Sequence, residues 1–260
     1  RRIIFTQNNM KNITNKLGQI GSQYIKHTNS IKQDIANMDD LNILLKYLPL
    51  LKLDNNYLLD DARPRKRTNS HLSLAVRHRS TKRPDDESWR KYILENLAKH
   101  LEYIDNETKK TEENDSTIET PYSIYHNWYD YISIPCTEEA IWQAYLLKKT
   151  SNLIGMRWHA NYSRRSFINS YNDLDEVVKE SLHVFLPISQ KEINAYKTEN
   201  ILPSVHIEKT GIYIRHHWFD PWNGLKEVKC SVEYNHNNNK IIDFSSEEIV
   251  LIKYWCGIMF

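Results

Sequence analysis

The sequence predicts an α+β protein in which a helical N-terminal half packs against a mostly antiparallel sheet formed by the C-terminal half. Apolar residues in the first half recur every three or four positions, which is the spacing of one helix face. In the second half, between residues 203 and 234, apolar and polar residues alternate as they do on strands with unlike faces. Residues 105–120 are polar and acidic, so we predict a helical region at 1–105, with a basic loop at 62–84, and an α+β domain at 121–260.

Three helices are predicted in the first half. An amphipathic helix over residues 8–38 either lies on its own domain or dimerises as a coiled coil, which would make the protein an oligomer. A leucine-dense second helix follows over Leu41–Leu53 and is broken at Pro49. The third begins at Pro84–Glu87, where acidic residues suit a helix N-terminus, and ends near residue 105.

Between the second and third helices the chain is strongly basic. Residues 63–83 carry eight lysines and arginines and no acidic residue. One interpretation is an arm that contacts the phosphates of nucleic acid. The alternative is a solvated linker between helical units. The net charge of the whole chain is only +2, so composition alone does not favour a nucleic-acid partner.

The segment 121–131 is unusually rich in aromatic residues. It is a candidate stacking platform for bases or sugars, with Trp128 and Tyr129 as ligand-binding residues. Packing in the core is the alternative for the same rings. A helix is predicted after Cys136, because Thr137 can cap it, and apolar residues surround it, so it should be buried.

Residues 156–162 alternate as a strand and carry the first candidate site. One face would present a guanidinium, an imidazole and a carboxamide, and two more guanidiniums follow. This combination suits a phosphate or carboxylate ligand. The alternative is an exposed polar face without a ligand. The residues concerned are Arg157, His159, Asn161, Arg164 and Arg165.

A hairpin between residues 211 and 234 is the clearest pattern in the chain. A two-residue turn at Asn223–Gly224 is favoured chemistry, but it would pair apolar residues with charged ones. A five-residue loop at Asp220–Gly224 gives one continuous apolar face instead, and we predict that register. Its pairs are Ile212 with Val232, Ile214 with Cys230 and His216 with Val228.

The same register sets His217 opposite Glu227 on the other face of the hairpin. The two residues form either a cross-strand ion pair or a catalytic base with its orienting carboxylate. In an enzyme, His159 or His217 would serve as acid or base and the arginines as anion clamps. The sequence contains no GxSxG, HExxH or phosphate-binding glycine loop, and the histidines lack metal-ligand spacing. We therefore predict no metal and no cofactor.

Shorter patterns predict the remaining elements. Capping boxes at Asp173 with Glu176 and at Ser189 with Glu192 predict two short helices. A last hairpin is predicted from Ile241–Phe244 and Ile249–Trp255 across the polar residues 245–248. A helix remains open for the second of these segments, because Ser245 and Glu248 also form a capping box.

Composition limits the class of protein. Three widely spaced cysteines do not form a disulfide framework, and no apolar run approaches a membrane span. The heavy use of Asn, Ile and Lys is typical of AT-rich bacterial genomes. We predict a soluble protein of a bacterial cytoplasm that binds a ligand through a cation-rich, aromatic surface without catalysis, and such a surface suits an anion. The alternative is an enzyme that acts on a phosphate-bearing or nucleic-acid substrate.

Overall fold

The computed structural model describes a set of segments that contain most of the second half of the chain. They are residues 41–62, 74–85, 87–88, 91, 124–153, 166–168, 170–181, 188–196, 201–220 and 223–254. Within them the α-helices are α1 Ile43–Lys46, α2 Glu138–Leu153, α3 Tyr171–Ser181 and α4 Gln190–Tyr196. The strands are β1 Lys52–Leu53, β2 Tyr57–Asp61, β3 Leu74–His78, β4 Tyr125–His126, β5 Ile132–Ser133, β6 Ser166–Ile168, β7 Ser204–Glu208, β8 Gly211–Asp220, β9 Gly224–Asn235 and β10 Lys240–Ile252.

The strands form three antiparallel sheets. The largest has the order β10-β9-β8, and both β6 and β7 pair with the other edge of β8. A second sheet has the order β2-β3-β4, and a third pairs β1 with β5. The described chain is therefore mostly sheet.

The predicted helical N-terminal half is wrong for the part of it that the structure describes. The second predicted helix ends at Lys46 after 4 residues, and strands β1 to β3 follow. Tertiary hydrogen bonds explain the difference, because Asn42 Oδ1 accepts from Leu59 N at 3.0 Å and Gln143 Oε1 accepts from Leu50 N at 3.0 Å. These bonds satisfy the backbone beyond α1 as well as a longer helix would.

The predicted basic loop at 62–84 also contains a strand, β3. Ala75 and Val76 in it are buried, and β3 pairs with both β2 and β4. The predicted helix start beyond it is confirmed, because Asp85 Oδ1 accepts from Ser88 N at 2.8 Å, as a capping residue does. The predicted helix over 8–38 and the boundary at 105–120 lie outside the described residues and stay predictions.

The predicted register of the central hairpin is confirmed. Ile212 pairs with Val232, Ile214 with Cys230, His216 with Val228 and His217 with Glu227. The connection is shorter than the five residues predicted, because Asp220 and Gly224 are themselves paired. The predicted apolar face is buried, and the rule that one slipped residue exchanges the faces therefore identified the correct pairing.

The predicted last hairpin is wrong, because residues 240–252 form the single strand β10. Ser246 pairs with Cys230 and Glu248 with Val228, so the polar residues 245–248 continue the ladder instead of turning. They include neither glycine nor proline, and β9 offers a 12-residue partner along their length. Two register shifts, at Ile241/Asp243 and Val250/Ile252, accommodate the length of β10.

Two of the three caps predicted for helices α2, α3 and α4 form as expected. Thr137 Oγ1 accepts from Ala140 N at 3.2 Å, and Ser189 and Glu192 bond to each other reciprocally. The box at Asp173 and Glu176 is wrong by one turn. Helix α3 begins earlier, and Ser170 Oγ accepts from Asp173 N at 3.3 Å, because Ser170 and Asp173 have the same capping-box spacing.

Two hydrophobic clusters lie on opposite faces of the largest sheet. The first contains Ile141, Trp142 and Tyr145 of α2 with Ile212 and Ile214 of β8, and it also includes Leu44, Leu59 and Val76 from the first half. As predicted, α2 is buried on all sides from Ala140 to Leu147. The second cluster, built around Phe219, Leu225 and Leu174, covers the other face only near the hairpin turn. No other hydrophobic cluster of the described residues covers the rest of that face.

Gly224, at the hairpin turn, packs closely against the backbone at the end of β10. Its φ of +93° lies where L side chains rarely fit, and an added Cβ would lie 1.9 Å from the carbonyl oxygen of Ile252.

No helix in the described part of the chain is both long and apolar enough to cross a membrane.

Replacement of Gly224 by alanine should therefore destabilise the protein. We expect Gly224→Ala to lower the free energy of unfolding by about 3 kcal/mol, because of both the backbone strain and the collision with Ile252. Denaturant titration followed by tryptophan fluorescence measures it. Gly211→Ala is the matched control, since its φ of +156° also disfavours an L side chain, whereas the nearest atom to its added Cβ is the movable Tyr213 hydroxyl at 3.1 Å. The difference between the two variants therefore measures the collision with the backbone of Ile252. Equal losses in the two variants would contradict this account of Gly224.

Candidate functional site

The open part of the largest sheet contains a groove of about 480 Å³. Strands β7 to β10 each contribute side chains to it, so a rigid scaffold positions every group. Its lining residues are His206, Tyr213, Ile214, Arg215, Lys229, Cys230, Ser231, Ser245, Ser246 and Glu247. We call this surface the groove face. Its volume lies within the range of small-molecule sites.

The register arranges most of these side chains in two rows that run across the strands. In one row His206 is opposite Tyr213, Tyr213 is opposite Ser231, and Ser231 is opposite Ser245. In the next row Arg215 is opposite Lys229, which is opposite Glu247. Residues two apart on a strand share a face and lie about 7 Å apart, so the two rows form a compact grid of polar groups.

Glu227 lies beside the second row, on the same face of the sheet, and contacts both of its cations. Arg215 Nε donates to Glu227 Oε1, and Lys229 Nζ lies 3.4 Å from Glu227 Oε2. Burial alone would raise the pKa of the Glu227 carboxyl, but the hydrogen bond and charge of Arg215, with the charge of Lys229, outweigh it and lower that pKa. Glu227 is therefore ionised and orients Arg215 within the groove.

His217 faces away from solvent although it lies opposite Glu227. Its side chain is buried, and Nδ1 lies 3.0 Å from the carbonyl oxygen of Ile201. Because a carbonyl can only accept, Nδ1 carries the proton in that bond. The second hydrophobic cluster covers this end of the sheet. The predicted acid or base is thus separated from the open groove, and the carboxylate of Glu227 is engaged by Arg215 and Lys229.

The first predicted site lies outside the described residues. Arg157, His159, Asn161, Arg164 and Arg165 all fall between Leu153, the end of α2, and Ser166, the start of β6. Whether they approach the groove is therefore untested, and their role as an anion site stays a prediction. The same holds for contact of residues 63–73 with nucleic acid and for an oligomer through residues 8–38.

Two cations of the predicted basic arm are committed to an internal partner. Asp60 is buried, and its carboxylate accepts from Arg77 Nε at 2.7 Å and from Arg83 Nη1 at 2.8 Å. Arg79 donates to the carbonyl oxygen of Asn55 at 2.7 Å. The charges of Arg77 and Arg83 are therefore engaged by Asp60, which reduces the number of cations available to phosphates.

The aromatic residues predicted to bind a ligand lie in the first hydrophobic cluster or against it. Trp128 is buried, and its ring centroid is 4.0 Å from that of Tyr129. Tyr129 also packs against Phe244, and burial together with nearby Asp243 raises the pKa of its phenol far above the usual value. This environment matches the alternative that these rings pack in the core.

His216 is the most deeply buried of the described histidines. Its Nε2 lies 2.7 Å from the Tyr145 hydroxyl, and its ring contacts Trp142, Phe167 and Trp218. Burial lowers the pKa of His216 to about 3, and the charge of Lys149 acts in the same direction. The imidazole is therefore neutral and structural.

The buried imidazole makes stability depend on pH. The unfolded chain protonates His216 near pH 6.5 and the folded protein only near pH 3, so between these values the unfolded state binds more protons. The contribution to stability is fully present above about pH 6.5, and we expect each pH unit below it to remove about 1.4 kcal/mol. Urea unfolding over a pH series measures this slope. His216→Gln should flatten the slope by that amount, and His236→Gln, which changes an exposed ring, should leave it unchanged. Equal slopes in His216→Gln and in the original chain would contradict the assignment.

The described residues contain no group of three or more His, Cys, Asp or Glu side chains that could hold a metal. Cys136 precedes α2, but burial raises the pKa of its thiol, and burial raises the pKa of the Cys230 thiol as well. Both thiols are therefore protonated at neutral pH, which does not suit a nucleophile.

Most groove residues were not candidates in the sequence. The alternation of β8 and β9 already assigned Tyr213, Arg215, Lys229 and Ser231 to the polar face of the hairpin. The missing information was that β7 and β10 extend this face on both sides while helices cover the opposite one. Comparison with known proteins finds no matching family model, no similar curated protein and no similar solved structure.

Proposed function

We propose that this protein is a non-enzymatic binding protein and that the groove face is its binding surface. The observation that carries the proposal is the convergence of polar side chains from four adjacent strands on one groove of about 480 Å³. A sheet holds such groups at fixed separations, so little conformational entropy is lost when a ligand binds.

The electrostatics of the groove support binding over catalysis. Arg215 and Lys229 are held by Glu227, which suits recognition by fixed donors. An enzyme of the kind considered above would need Arg157 and His159 in one cleft with His217. His217 is 1% exposed and is bonded to Ile201, so it has no access to a ligand in the groove.

A bacterial cytoplasmic setting is part of the proposal. Cys136 and Cys230 are both free thiols, and they lie in half-buried and buried positions, respectively. Reduced, protonated cysteines of this kind are typical of proteins kept in a reducing compartment.

A ligand screen with isotope-labelled, full-length protein tests the proposed surface. The probes are small polar molecules at millimolar concentration: monosaccharides, free amino acids, dicarboxylates and nucleoside monophosphates. We expect at least one probe to shift the backbone amide signals of Tyr213, Arg215, Lys229 and Ser231 together. Arg215→Ala should weaken binding of that probe about tenfold, because a charge-assisted contact is lost.

Lys209→Ala provides the control for this screen. Lys209 is an exposed cation on the turn between β7 and β8, and it is not part of the groove lining. Its removal should leave binding unchanged. Probes that shift only amides elsewhere, or that bind Arg215→Ala as tightly as the original chain, would remove the groove face as the binding surface.

A further inference from the structure

We infer that the groove face takes an uncharged, polyhydroxylated ligand, that is, a saccharide. This inference rests on the proposed function and adds the chemical class of the ligand to it. Three features of the groove carry it: the balance of its charges, the mixture of its hydrogen-bonding groups, and one exposed aromatic ring.

The charges of the groove lining and of the neighbouring Glu227 sum to zero. Arg215 and Lys229 supply two cations, and Glu227 and Glu247 supply two anions. Both cations are paired with Glu227, and Glu247 is the cross-strand neighbour of Lys229. A charged ligand would have to displace one of these pairs, whereas a hydroxyl group can accept from the cation and donate to the anion while the pair stays intact.

The remaining polar groups also suit hydroxyl ligands. Ser231 and Ser245 can each donate and accept, and the exposed imidazole of His206 has one donor and one acceptor when neutral. Every sugar hydroxyl likewise donates once and accepts twice. Two rows of such groups can therefore satisfy neighbouring hydroxyls of a sugar ring without leaving a buried donor or acceptor unpaired.

Tyr213 supplies the apolar platform that a sugar ring needs. It is 41% exposed, although it lies in the middle of the polar rows, and its hydroxyl is 3.5 Å from the carbonyl oxygen of Thr210. One face of a pyranose ring consists of C–H groups, and such a face packs against an aromatic ring. A Tyr side chain with a fixed hydroxyl offers that contact at low entropic cost.

The length of the groove indicates more than one sugar unit. It crosses strands β7 to β10, and neighbouring strands lie about 4.8 Å apart, so its long dimension is about 14 Å. An extended oligosaccharide can therefore lie across the strands, with one ring on Tyr213 and the next near Glu247.

The same face is unsuited to a polyanion. Outside the balanced set of the groove, the described strands add three acidic side chains to this face, Glu208, Glu233 and Asp243. The acidic residues on this face are Glu208, Glu227, Glu233, Asp243 and Glu247. Glu233 and Asp243 lie directly opposite each other at the margin of the groove, where they would repel phosphate or sulfate groups.

Titration of the full-length protein with neutral oligosaccharides tests the inference. The probes are short, uncharged oligomers of glucose, mannose, galactose and N-acetylglucosamine; heparin, single-stranded DNA and spermidine are the charged comparisons. We expect at least one neutral oligomer to shift the groove amides, with an affinity that changes less than twofold from low to high salt. Tyr213→Ala should weaken that binding at least tenfold, Tyr213→Phe should weaken it less than threefold, and Lys209→Ala should leave it unchanged.

Two results would overturn the inference. If only charged probes shift the groove amides, with strong salt dependence, the ligand class is wrong while the groove remains the binding surface. If a neutral oligomer binds Tyr213→Ala as tightly as the original chain, sugar binding does not use this face. The amide spectrum of Tyr213→Ala shows directly whether that variant folds. If it does not, the double variant Ser231→Ala with Ser245→Ala replaces it, and we expect its affinity for the oligomer to fall about tenfold.

Discussion

The pairing of β8 with β9 determines which side chains this protein buries and which it presents. With Ile214 opposite Cys230, every second residue of both strands faces α2, and the alternate residues face the other way. A shift of one residue would place Arg215 and Lys229 against the helix. The core, the groove face and the position of Glu227 therefore depend on one register.

Among the described residues, the two hydrophobic clusters leave the groove face uncovered. Cluster residues from α2 and the first three strands cover one face, and residues around Phe219 cover the other face near the turn. The groove lies over part of the first cluster, since Ile214 and Cys230 belong to that cluster and also line the groove. A packed core on the other side of the sheet supports its polar groups, and Glu227 contacts both Arg215 and Lys229. The core and the proposed binding surface thus use opposite sides of the same strands.

The sequence was sufficient to predict an element wherever the two possible structures would bury different side chains. The hairpin register could be predicted because the competing turn would have set charged residues such as Arg215 against apolar ones. Helix α2 could be predicted because Thr137 and the apolar residues that follow it agree. The prediction of a helix over residues 41–53 was wrong because the leucines there have helical spacing. The same leucines can also fill a core from a short helix, a loop and a strand. Asn42 and Gln143 decide between these outcomes through contacts distant in sequence, which periodicity does not contain.

The groove was harder to predict for a related reason. Alternation identifies the polar face of a strand, but it does not say which strands are neighbours or which faces stay uncovered. Glu247 was assigned to a turn, and only its place in β10 brings it beside Lys229. Cross-strand neighbours are set by topology, so a site built from four strands becomes visible only when the order of those strands is known.

The contact at Gly224 has a consequence for how the molecule opens. The tight end of the hairpin is pressed against the backbone of Ile252 and Tyr254, which are distant along the chain. That turn cannot fray alone, as hairpin ends commonly do, because the last strand would have to detach with it. The two ends of β9 should therefore differ in their local dynamics: the end at Gly224 exchanges its amide hydrogens only when β10 is released, whereas the end at Asn235 adjoins an exposed asparagine-rich turn.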